Sequence, residues 1–438
     1  MNIKTKLVGA SIKALNYLLS FIYFFIKLIP TKRGKILFLS RQSDKIPLDF
    51  VLLKNRIGQI KPDASFVVIC SRIGHGAREN ILFLIRLLRS MYHLATSQVC
   101  IIDSYWPAVS MLKHKKHLKV IQIWHSIGKM KKSGYQSLDK KSGRKSQYAK
   151  LLKMHNNYDY FIGGAEIFNK DYCEAFRISG DRILNYGLPR IDYLIETEEQ
   201  NRTRFYNEFP ELKDKKVVLY APTFRRNMKS CWEDIINADI SSNIAVIIKN
   251  HPGQGAHKTA ETSVIRYIDD WETIDLISVC DYLITDYSSI AFEAAVLKKK
   301  TFFWIYDYEQ YIKNSGINID LKNELSHNAF ENIDELMTAI ENDDYSIVQQ
   351  EEYIRKYLLN DLGHSTEKIA GLVVSLMESK EKNYEICNNG RWQGRAVEEP
   401  SWNIKTFGGD RRRKADMPDD KTSAKSGAAE YGNHSNVS

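Results

Sequence analysis

The stretch CDYLITDYSSIAFEAAVLKKKTFFW, residues 280–304, contains a short apolar strand, a polar turn, a helix and a second apolar strand. Asp286, Tyr287, Ser288 and Ser289 stand where the first strand gives way to the helix. Ser and Asp are common N-cap residues, so helix capping accounts for them. An anion also suits this position, because the free N–H groups at a helix N-terminus bind phosphate. The stretch alone leaves both interpretations open.

Short apolar runs alternate with helix-like segments on both sides of this stretch. The strand candidates are KILFLS, SFVVIC, VCIID, KVIQIWHS, YDYFIGG and RILNYGLPR, and then VVLYAPTF, IAVIIKNHP, VIRYID, YLITDYSS and TFFWIY. Apolar strands interleaved with helices are typical of a parallel sheet that is covered on both faces. The pattern therefore predicts an α/β fold built from doubly wound sheets.

A polar stretch at residues 196–214 interrupts this alternation and separates the two groups of strands. We therefore predict two consecutive Rossmann-like domains, at residues 32–200 and 205–380, with a cleft between them. Residues 385–438 are rich in Gly, Ser, Asp, Lys and Arg and show no sustained periodicity. This composition predicts a disordered tail.

Residues 1–31 contain a long apolar segment, LVGASIKALNYLLSFIYFFIKLIP. Its polar residues fall on one narrow helical stripe, which leaves the rest of the circumference apolar. We expect an amphipathic helix that lies on the cytoplasmic leaflet, with its lysines near anionic headgroups. A transmembrane helix and a helix packed on the protein's own core are the alternatives.

Composition narrows the kinds of partner. The 438 residues carry a formal net charge of +10, which favours an anionic partner such as a membrane surface or a nucleotide. The six cysteines are scattered without CxxC spacing, so neither a zinc site nor a disulfide framework is expected. Aromatic residues are not interleaved with basic ones as in an RNA-binding sheet, so no nucleic-acid partner is predicted.

Polar segments follow five of the predicted strands. They are WHSIGKMKKSGY (124–135), GLPRID (187–192), APTFRRN (221–227), KNHPG (249–253) and TDYSS (285–289). Ligands of open parallel sheets bind beyond the carboxyl ends of the strands. Because these segments are mostly cationic or hydroxyl-bearing, they predict a phosphate-rich ligand in the cleft between the domains.

His125 directly follows the apolar run VIQIW, and Lys129, Lys131 and Lys132 come just after it. A neutral imidazole can take a proton from an attacking hydroxyl near pH 7. The lysines suit an anionic substrate. The simpler alternatives are a structural histidine and a solvated basic loop.

The second half of the chain offers a similar set. His251 and Lys249 follow one strand, where they could stabilise charge on a leaving phosphate, and Thr223 and Arg225 follow another. Glu293 lies one turn into the helix after Ser289, either as an acceptor for ribose hydroxyls or as a surface charge.

No DxD pair, P-loop, GxGxxG, HExxH or GxSxG motif is present. The sequence therefore predicts no metal site and requires no cofactor, although a diffusible Mg²⁺ on a diphosphate is compatible with it.

Taken together, these segments resemble the CDP-glycerol:poly(glycerophosphate) glycerophosphotransferase family, which includes teichoic-acid primases, teichoic-acid polymerases and related capsule enzymes. The resemblance runs from about Lys35 to about Leu376 and is carried by FLSRQSDKIPLDF, WHSIGKMKKSGY, GLPRID, LYAPTFR, KNHP and ITDYSSIAFE. It implies a GT-B-like architecture, with an acceptor-side domain, a CDP-donor-side domain and a membrane-associated amino-terminal region. KNSGINID (313–320) departs from the Arg-Gly-Phe-like pattern of many relatives, which bears on donor or acceptor identity.

The resemblance also implies roles for single residues. It makes His125 the base that deprotonates the acceptor hydroxyl, and it places His251 near the donor pyrophosphate. Donor-side contacts to the phosphates or nucleotide are implied for Thr223, Arg225, Lys249, Asp286, Ser288, Ser289 and Glu293. Acceptor or phosphate contacts are implied for Lys131, Lys132 and Arg190.

The implied reaction is transfer of an alditol phosphate, glycerol phosphate first, from a CDP-alditol to a hydroxyl of a lipid-linked glycan or polyol-phosphate acceptor. CMP leaves, and the enzyme works as a peripheral protein on the cytoplasmic face of the membrane. The alternatives are a CDP-ribitol ribitolphosphotransferase, a GT-B glycosyltransferase that uses a nucleotide sugar, and a non-catalytic membrane-bound assembly protein.

Overall fold

The computed structural model describes residues 3–72, 76–223, 232–249, 262 and 264–378. The strands of this part of the chain are β1 (Lys35–Ser40), β2 (Ser65–Cys70), β3 (Val99–Ile102), β4 (Lys119–Gln122), β5 (Tyr160–Gly163), β6 (Ile183–Asn185), β7 (Lys216–Tyr220), β8 (Ile244–Ile248), β9 (Ile265–Arg266), β10 (Tyr282–Thr285), β11 (Lys300–Trp304) and β12 (Ala329–Phe330). They form two six-stranded sheets, in the orders β2-β1-β3-β4-β5-β6 and β12-β11-β10-β7-β8-β9.

All neighbouring strands in both sheets are parallel. The central strands are apolar and buried along their whole length, as β1 and β8 show. Parallel sheets need cover on both faces, and helices between successive strands provide it. All carboxyl ends of a parallel sheet meet at one edge, so the polar segments predicted to bind ligand follow the strands at that edge.

The helices connect and cover these sheets. They are α1 (Ile3–Ile26), α2 (Leu48–Ile60), α3 (Ala77–Thr96), α4 (Pro107–Met111), α5 (Ser146–Leu151), α6 (Asn169–Phe176), α7 (Pro189–Glu208), α8 (Trp232–Asn237), α9 (Thr273–Val279), α10 (Ile290–Val296), α11 (Tyr308–Asn314), α12 (Leu321–Glu324), α13 (Ile333–Glu341), α14 (Ile347–Tyr357) and α15 (Ser365–Glu378). Met1–Glu381 forms one compact unit. Within it α15 packs on α2 and β3 of the first sheet, although it follows the second sheet in sequence.

The polar stretch at 196–214 is mostly helical, because α7 extends to Glu208. Part of its buried side is polar, which hides the helical period in the sequence: Asn201 donates to the hydroxyl of Thr197 at 3.1 Å. This helix packs against both α2 and α9, so it connects the two sheets as a rigid element. The predicted boundaries at residues 200 and 205 stay predictions, and the tail at 385–438 lies outside the described residues.

Helix α1 packs one side against the protein, while Lys13 and Ser20 of its polar stripe stay exposed. Leu19 and Tyr23 are buried, and the Tyr23 hydroxyl lies 2.8 Å from Nδ1 of His114. The opposite face leaves these large apolar side chains exposed: Val8, Leu15, Tyr17, Leu18, Phe21, Phe24 and Phe25. Val8–Ile26 is the stretch of the described chain that is long and apolar enough to cross a membrane.

Candidate active site

His125 lies three residues after the end of β4, behind a residue with strained backbone. Trp124 has a φ of 58°, a left-handed conformation that is costly for a bulky residue and common at functional sites. Its amide donates to Oε1 of Gln122 at 2.8 Å. The indole packs on the imidazole of His125 with 4.0 Å between ring centroids. The strained turn therefore sets the plane of the imidazole.

A backbone carbonyl orients the His125 ring. Nδ1 lies 3.1 Å from the carbonyl oxygen of Asp103 and 3.0 Å from Nε2 of Gln42. Only a protonated Nδ1 can satisfy the fixed carbonyl acceptor, and the exposed Gln42 amide can rotate to suit this tautomer. Nε2 is then unprotonated, which is the form that accepts a proton from a substrate hydroxyl.

The surroundings of His125 keep the ring neutral. Burial lowers the pKa of His125 to about 4, against the opposing effect of the Asp103 carbonyl. The positive charges of Arg190, Lys131 and Lys129 lower it further. The same cations give the site a positive field, which suits a substrate that carries phosphates.

The loop that carries His125 packs tightly against elements of both halves of the fold. A Cβ at Gly128 would lie 2.3 Å from Cε2 of Phe292, a side chain of helix α10, which packs on β10 and β11 of the second sheet. A Cβ at Gly164, after β5, would lie 1.6 Å from the carbonyl oxygen of Ile127. Only glycine fits at these two positions, so close backbone packing fixes the loop directly after the base.

A segment of the second half also pairs with this loop. The amide of Lys132 donates to the carbonyl of Gly316 at 3.0 Å, and the amide of Asn318 donates to the carbonyl of Met130 at 2.8 Å. Nδ2 of Asn318 reaches the carbonyl of Lys129 at 2.9 Å. This segment is KNSGINID, where the sequence departs from the pattern of many relatives. It therefore shapes the base-bearing loop.

Arg190 forms the centre of a buried ion-pair cluster. Its backbone amide and Nε donate to the carboxylate of Asp49, each at 2.8 Å, and its Nη2 contacts the same carboxylate. Nη1 of Arg190 lies 3.5 Å from Oε1 of Glu293 on α10. The cluster joins α2, α7 and α10, so it connects the base-bearing side to the helix that follows TDYSS.

Glu293 is 9% exposed, so the alternative of a surface charge is wrong. Burial raises the pKa of its carboxyl, and the charge of Arg190 opposes that effect. Asp49, with 1% exposure, is the main carboxylate partner of Arg190. The predicted ribose contact of Glu293 stays a prediction.

A second polar corner lies at the carboxyl ends of β7 and β10. Oδ1 of Asp286 accepts a hydrogen bond from the amide of Thr223 at 2.8 Å. The Thr223 hydroxyl is buried and has no hydrogen-bond partner among the described residues. Ser288 accepts from the amide of Ile290 at 3.5 Å, and Ser289 makes no side-chain capping bond. Capping by these serines is therefore weak, and their hydroxyls remain suited to a ligand.

Lys249 points at backbone carbonyls in this structure. Its ammonium donates to the carbonyls of Trp271 at 2.6 Å and Ile268 at 3.0 Å. Burial lowers its pKa. Its predicted phosphate contact stays a prediction, and the predicted His251 and Arg225 lie outside the described residues.

The structure adds site residues that sequence reasoning left without a role. Asp103 orients His125, Asp49 pairs with Arg190, and Asn318 pins the base-bearing loop. Asp49 belongs to FLSRQSDKIPLDF, a segment that carries the family resemblance, and that segment was the available signal for it. No group of three or more His, Cys, Asp or Glu side chains suited to a metal ion occurs among the residues described.

Known proteins match most of the chain. The family model for CDP-glycerol:poly(glycerophosphate) glycerophosphotransferases matches residues 21–375. The teichoic acid ribitol-phosphate primase of Bacillus spizizenii is 29% identical over 365 residues, which cover 80% of this chain and 94% of the relative. The teichoic acid glycerol-phosphate primase of Bacillus subtilis is 29% identical over 240 residues, 53% of this chain and 62% of the relative.

The fold has a close counterpart among solved structures. The wall teichoic acid polymerase TagF superposes with a TM-score of 0.62 at 17% identity, over 86% of this chain and 98% of that one. The predicted two-sheet GT-B-like fold, the predicted family and the predicted alditol-phosphate-transferring enzyme of teichoic-acid synthesis are thus confirmed. The chain belongs to the CDP-glycerol:poly(glycerophosphate) glycerophosphotransferase family.

Proposed function

We propose that the enzyme transfers an alditol phosphate from a CDP-alditol to a hydroxyl of a lipid-linked acceptor at the cytoplasmic face of the membrane. The observation that carries this proposal is the fixed, neutral imidazole of His125 within a cluster of cations. A base that is neutral at pH 7 and surrounded by positive charge suits a hydroxyl nucleophile and a diphosphate electrophile.

The proposed reaction proceeds in one displacement. Nε2 of His125 takes the proton of the acceptor hydroxyl as its oxygen bonds to the β-phosphorus of the donor. The bond between this phosphorus and the bridging oxygen breaks, and CMP leaves with the electron pair. The hydroxyls of Thr223, Ser288 and Ser289 provide donors for phosphate oxygens on the leaving side.

Glycerol is the first proposed alditol, and ribitol is the second candidate. The long match to a ribitol-phosphate primase supports the second candidate, since it covers 94% of that relative. Release of CMP from CDP-glycerol or CDP-ribitol, and of UDP from a UDP-sugar, each with a membrane acceptor fraction, decides among the donors. Release from the UDP-sugar alone would overturn the proposal in favour of a glycosyltransferase.

We propose that the reaction needs no resident metal. Supporting this, the described residues hold no cluster of metal-ligating side chains. Turnover that survives EDTA would support the proposal. If EDTA abolishes turnover and added Mg²⁺ restores it, the result would point to an ion carried by the donor diphosphate.

The exposed face of α1 supports attachment to the membrane surface. Helix α3 packs beside α1 and exposes Ile81, Leu84 and Ile85, which extends the apolar surface. An exposed apolar face of this kind suits the interfacial region of a bilayer. The double variant Phe21→Glu/Phe25→Glu should lose flotation with anionic vesicles. The control Ile347→Glu/Val348→Glu, at exposed apolar positions on α14, should keep it.

A further inference from the structure

Two arginines lie beside one tyrosine ring at the carboxyl edge of the first sheet. Arg41 directly follows β1, and Arg144 precedes α5. Their guanidinium carbons lie 5.8 Å and 5.5 Å from the centroid of the Tyr105 ring. Burial lowers the pKa of Arg41 to about 10, and the nearby charge of Arg144 acts in the same direction. The two positive charges thus lie close enough to repel each other.

No carboxylate of the described chain neutralises this pair directly. The described arginines that pair with a carboxylate within 4 Å are Arg56, Arg86, Arg190, Arg204 and Arg355. Nη1 of Arg41 donates to the carbonyl of Tyr105 at 2.9 Å, and its buried Nε has no hydrogen-bond partner among the described residues. A buried donor without a partner is costly and calls for a ligand.

Asp103 is the nearby acid, but its oxygens are engaged. Oδ2 accepts from the Ser40 hydroxyl at 2.6 Å, and Oδ1 accepts from the Ser104 hydroxyl at 2.7 Å. The negative charge of Asp103 raises the pKa of the Arg41 guanidinium, but it is a minor cause among those that shift it. The two arginines therefore keep an excess of positive charge and a set of donors for an external anion.

Arg41 lies next to the base. The Arg41 amide donates to the Ser104 hydroxyl at 3.0 Å, while Nδ1 of His125 contacts the carbonyl of the adjacent residue Asp103 at 3.1 Å. Gln42, the neighbour of Arg41, reaches the same imidazole at 3.0 Å. One three-residue segment after β3, residues 103–105, thus anchors both His125 and Arg41.

We propose that Arg41 and Arg144 form a subsite for a phosphate group of the acceptor, beside the hydroxyl that His125 deprotonates. This inference rests on the proposed function and assigns Arg41 and Arg144 to the recognition of a phosphate-containing acceptor chain. A guanidinium fork matches phosphate oxygens, and an anion between two arginines removes their mutual repulsion. The phosphate belongs either to a polyol-phosphate diester or to the diphosphate of a lipid carrier.

The test measures CMP release by the full-length enzyme with two acceptors on the same alkyl chain, one ending in glycerol phosphate and one without the phosphate. Arg41→Gln and Arg144→Gln should each raise the KM for the phosphorylated acceptor about tenfold or more, the scale of a charged hydrogen bond. The KM values for the donor and for the phosphate-free acceptor should not change. Arg204→Gln, which removes an arginine stacked at 3.7 Å on Trp271, is the matched control and should change neither KM.

An equal rise in KM for both acceptors would overturn the proposal, because the arginines would then only support the fold. A rise in the donor KM alone would also overturn it. Arg144→Gln is the decisive variant if loss of the buried Arg41 guanidinium prevents folding, because Arg144 is only half-buried.

A binding experiment separates this subsite from the proposed reaction. If the wild type releases no CMP from any CDP-alditol, calorimetry with diglyceryl phosphate and with a polyprenyl diphosphate still tests the subsite. Binding of either probe that weakens tenfold or more in Arg144→Gln supports the subsite, and the probe that binds identifies the source of the phosphate. Equal binding by both proteins, or none to either probe, would overturn it.

Discussion

The loop around His125 and the corner formed by Thr223 and Asp286 both follow the carboxyl ends of parallel strands, yet they differ in how their polar groups are used. In the His125 loop the polar groups already have partners. A backbone carbonyl orients the ring, the glycines pack closely against their neighbours, and the loop carbonyls accept hydrogen bonds. At the corner, the Thr223 hydroxyl is buried without a partner in the described chain, and Lys249 turns to loop carbonyls.

The difference separates two tasks. A general base must hold its ring within a narrow range of geometry before the substrate arrives, so its surroundings are complete without ligand. Groups that bind phosphate gain their partner only when the donor is present, so an unpaired hydroxyl is expected there. Loss of a group from the first region should therefore lower the rate or the stability, and loss from the second should lower donor affinity.

The largest expected effect is that of His125→Ala. Loss of a general base lowers kcat by about 10²- to 10⁴-fold, because the acceptor hydroxyl keeps its proton. CMP release with a saturating acceptor measures the effect, and donor binding should persist. His327→Ala removes an exposed histidine paired with Asp344 and should leave kcat unchanged. Full activity of His125→Ala would make His125 a structural residue.

Arg190→Gln tests the rigidity of the base-bearing side. It leaves the buried carboxylates of Asp49 and Glu293 without their cation, which should destabilise the protein by about 3 kcal/mol. The free energy of unfolding in urea measures this loss, and Asp49→Asn in the same chain should restore part of it. Arg56→Gln is the control, because its half-exposed partner Glu367 limits the loss to about 1 kcal/mol or less. Equal losses of unfolding free energy in Arg190→Gln and Arg56→Gln would contradict the view that Arg190 is the centre of a buried ion-pair cluster.

Thr223→Val tests the corner formed by Thr223 and Asp286. It replaces an unpartnered hydroxyl with a methyl group, so the free energy of unfolding should stay the same or rise by up to about 1 kcal/mol. Donor affinity should fall about tenfold, because a phosphate oxygen loses a donor. Calorimetry with the CDP-alditol measures the affinity. Unchanged affinity with lower stability would place Thr223 among the structural residues.

The smallest effect concerns pH. The folded pKa of His125, about 4, lies below that of an ordinary histidine, so the base stays unprotonated as the pH falls through 6. The value of kcat/KM should therefore be flat between pH 8 and pH 6, where an ordinary histidine would cause about a fourfold loss. The same shift makes folding less favourable as the pH falls below about 6.5, because the unfolded chain then binds a proton that the folded ring excludes. A fourfold loss of rate would show that His125 titrates normally.

Much of the fold could be predicted from the sequence because the central strands are uninterrupted apolar runs. Strand β12 was missed, since Ala329–Phe330 is too short to show a period. The nature of α7 was missed for a different reason. Its buried Thr197 and Asn201 are polar, and only the structure shows that Asp275, 74 residues after Asn201, accepts a hydrogen bond from the Asn201 side-chain amide at 3.4 Å.

The candidate site divides in the same way. The positions of His125, Thr223 and Asp286 at the sheet edges could be predicted because each lies within three residues of the end of a strand, where ligands of parallel sheets bind. The groups that position them could not, because their partners are far away in sequence. Asp49 and Arg190 are 141 positions apart, and Asn318 lies 189 positions from the carbonyl that it binds. Such pairs are defined by the packed sheets and not by any local pattern.

The contact between Trp124 and His125 gives the enzyme an internal optical probe. Their rings are 4.0 Å apart, and an imidazolium quenches indole fluorescence more strongly than a neutral imidazole does. The difference in emission between the wild type and Trp124→Phe isolates this indole from the other tryptophans. That difference signal would follow the protonation of His125 without any added label. It would also follow the burial of the His125 ring when an acceptor arrives.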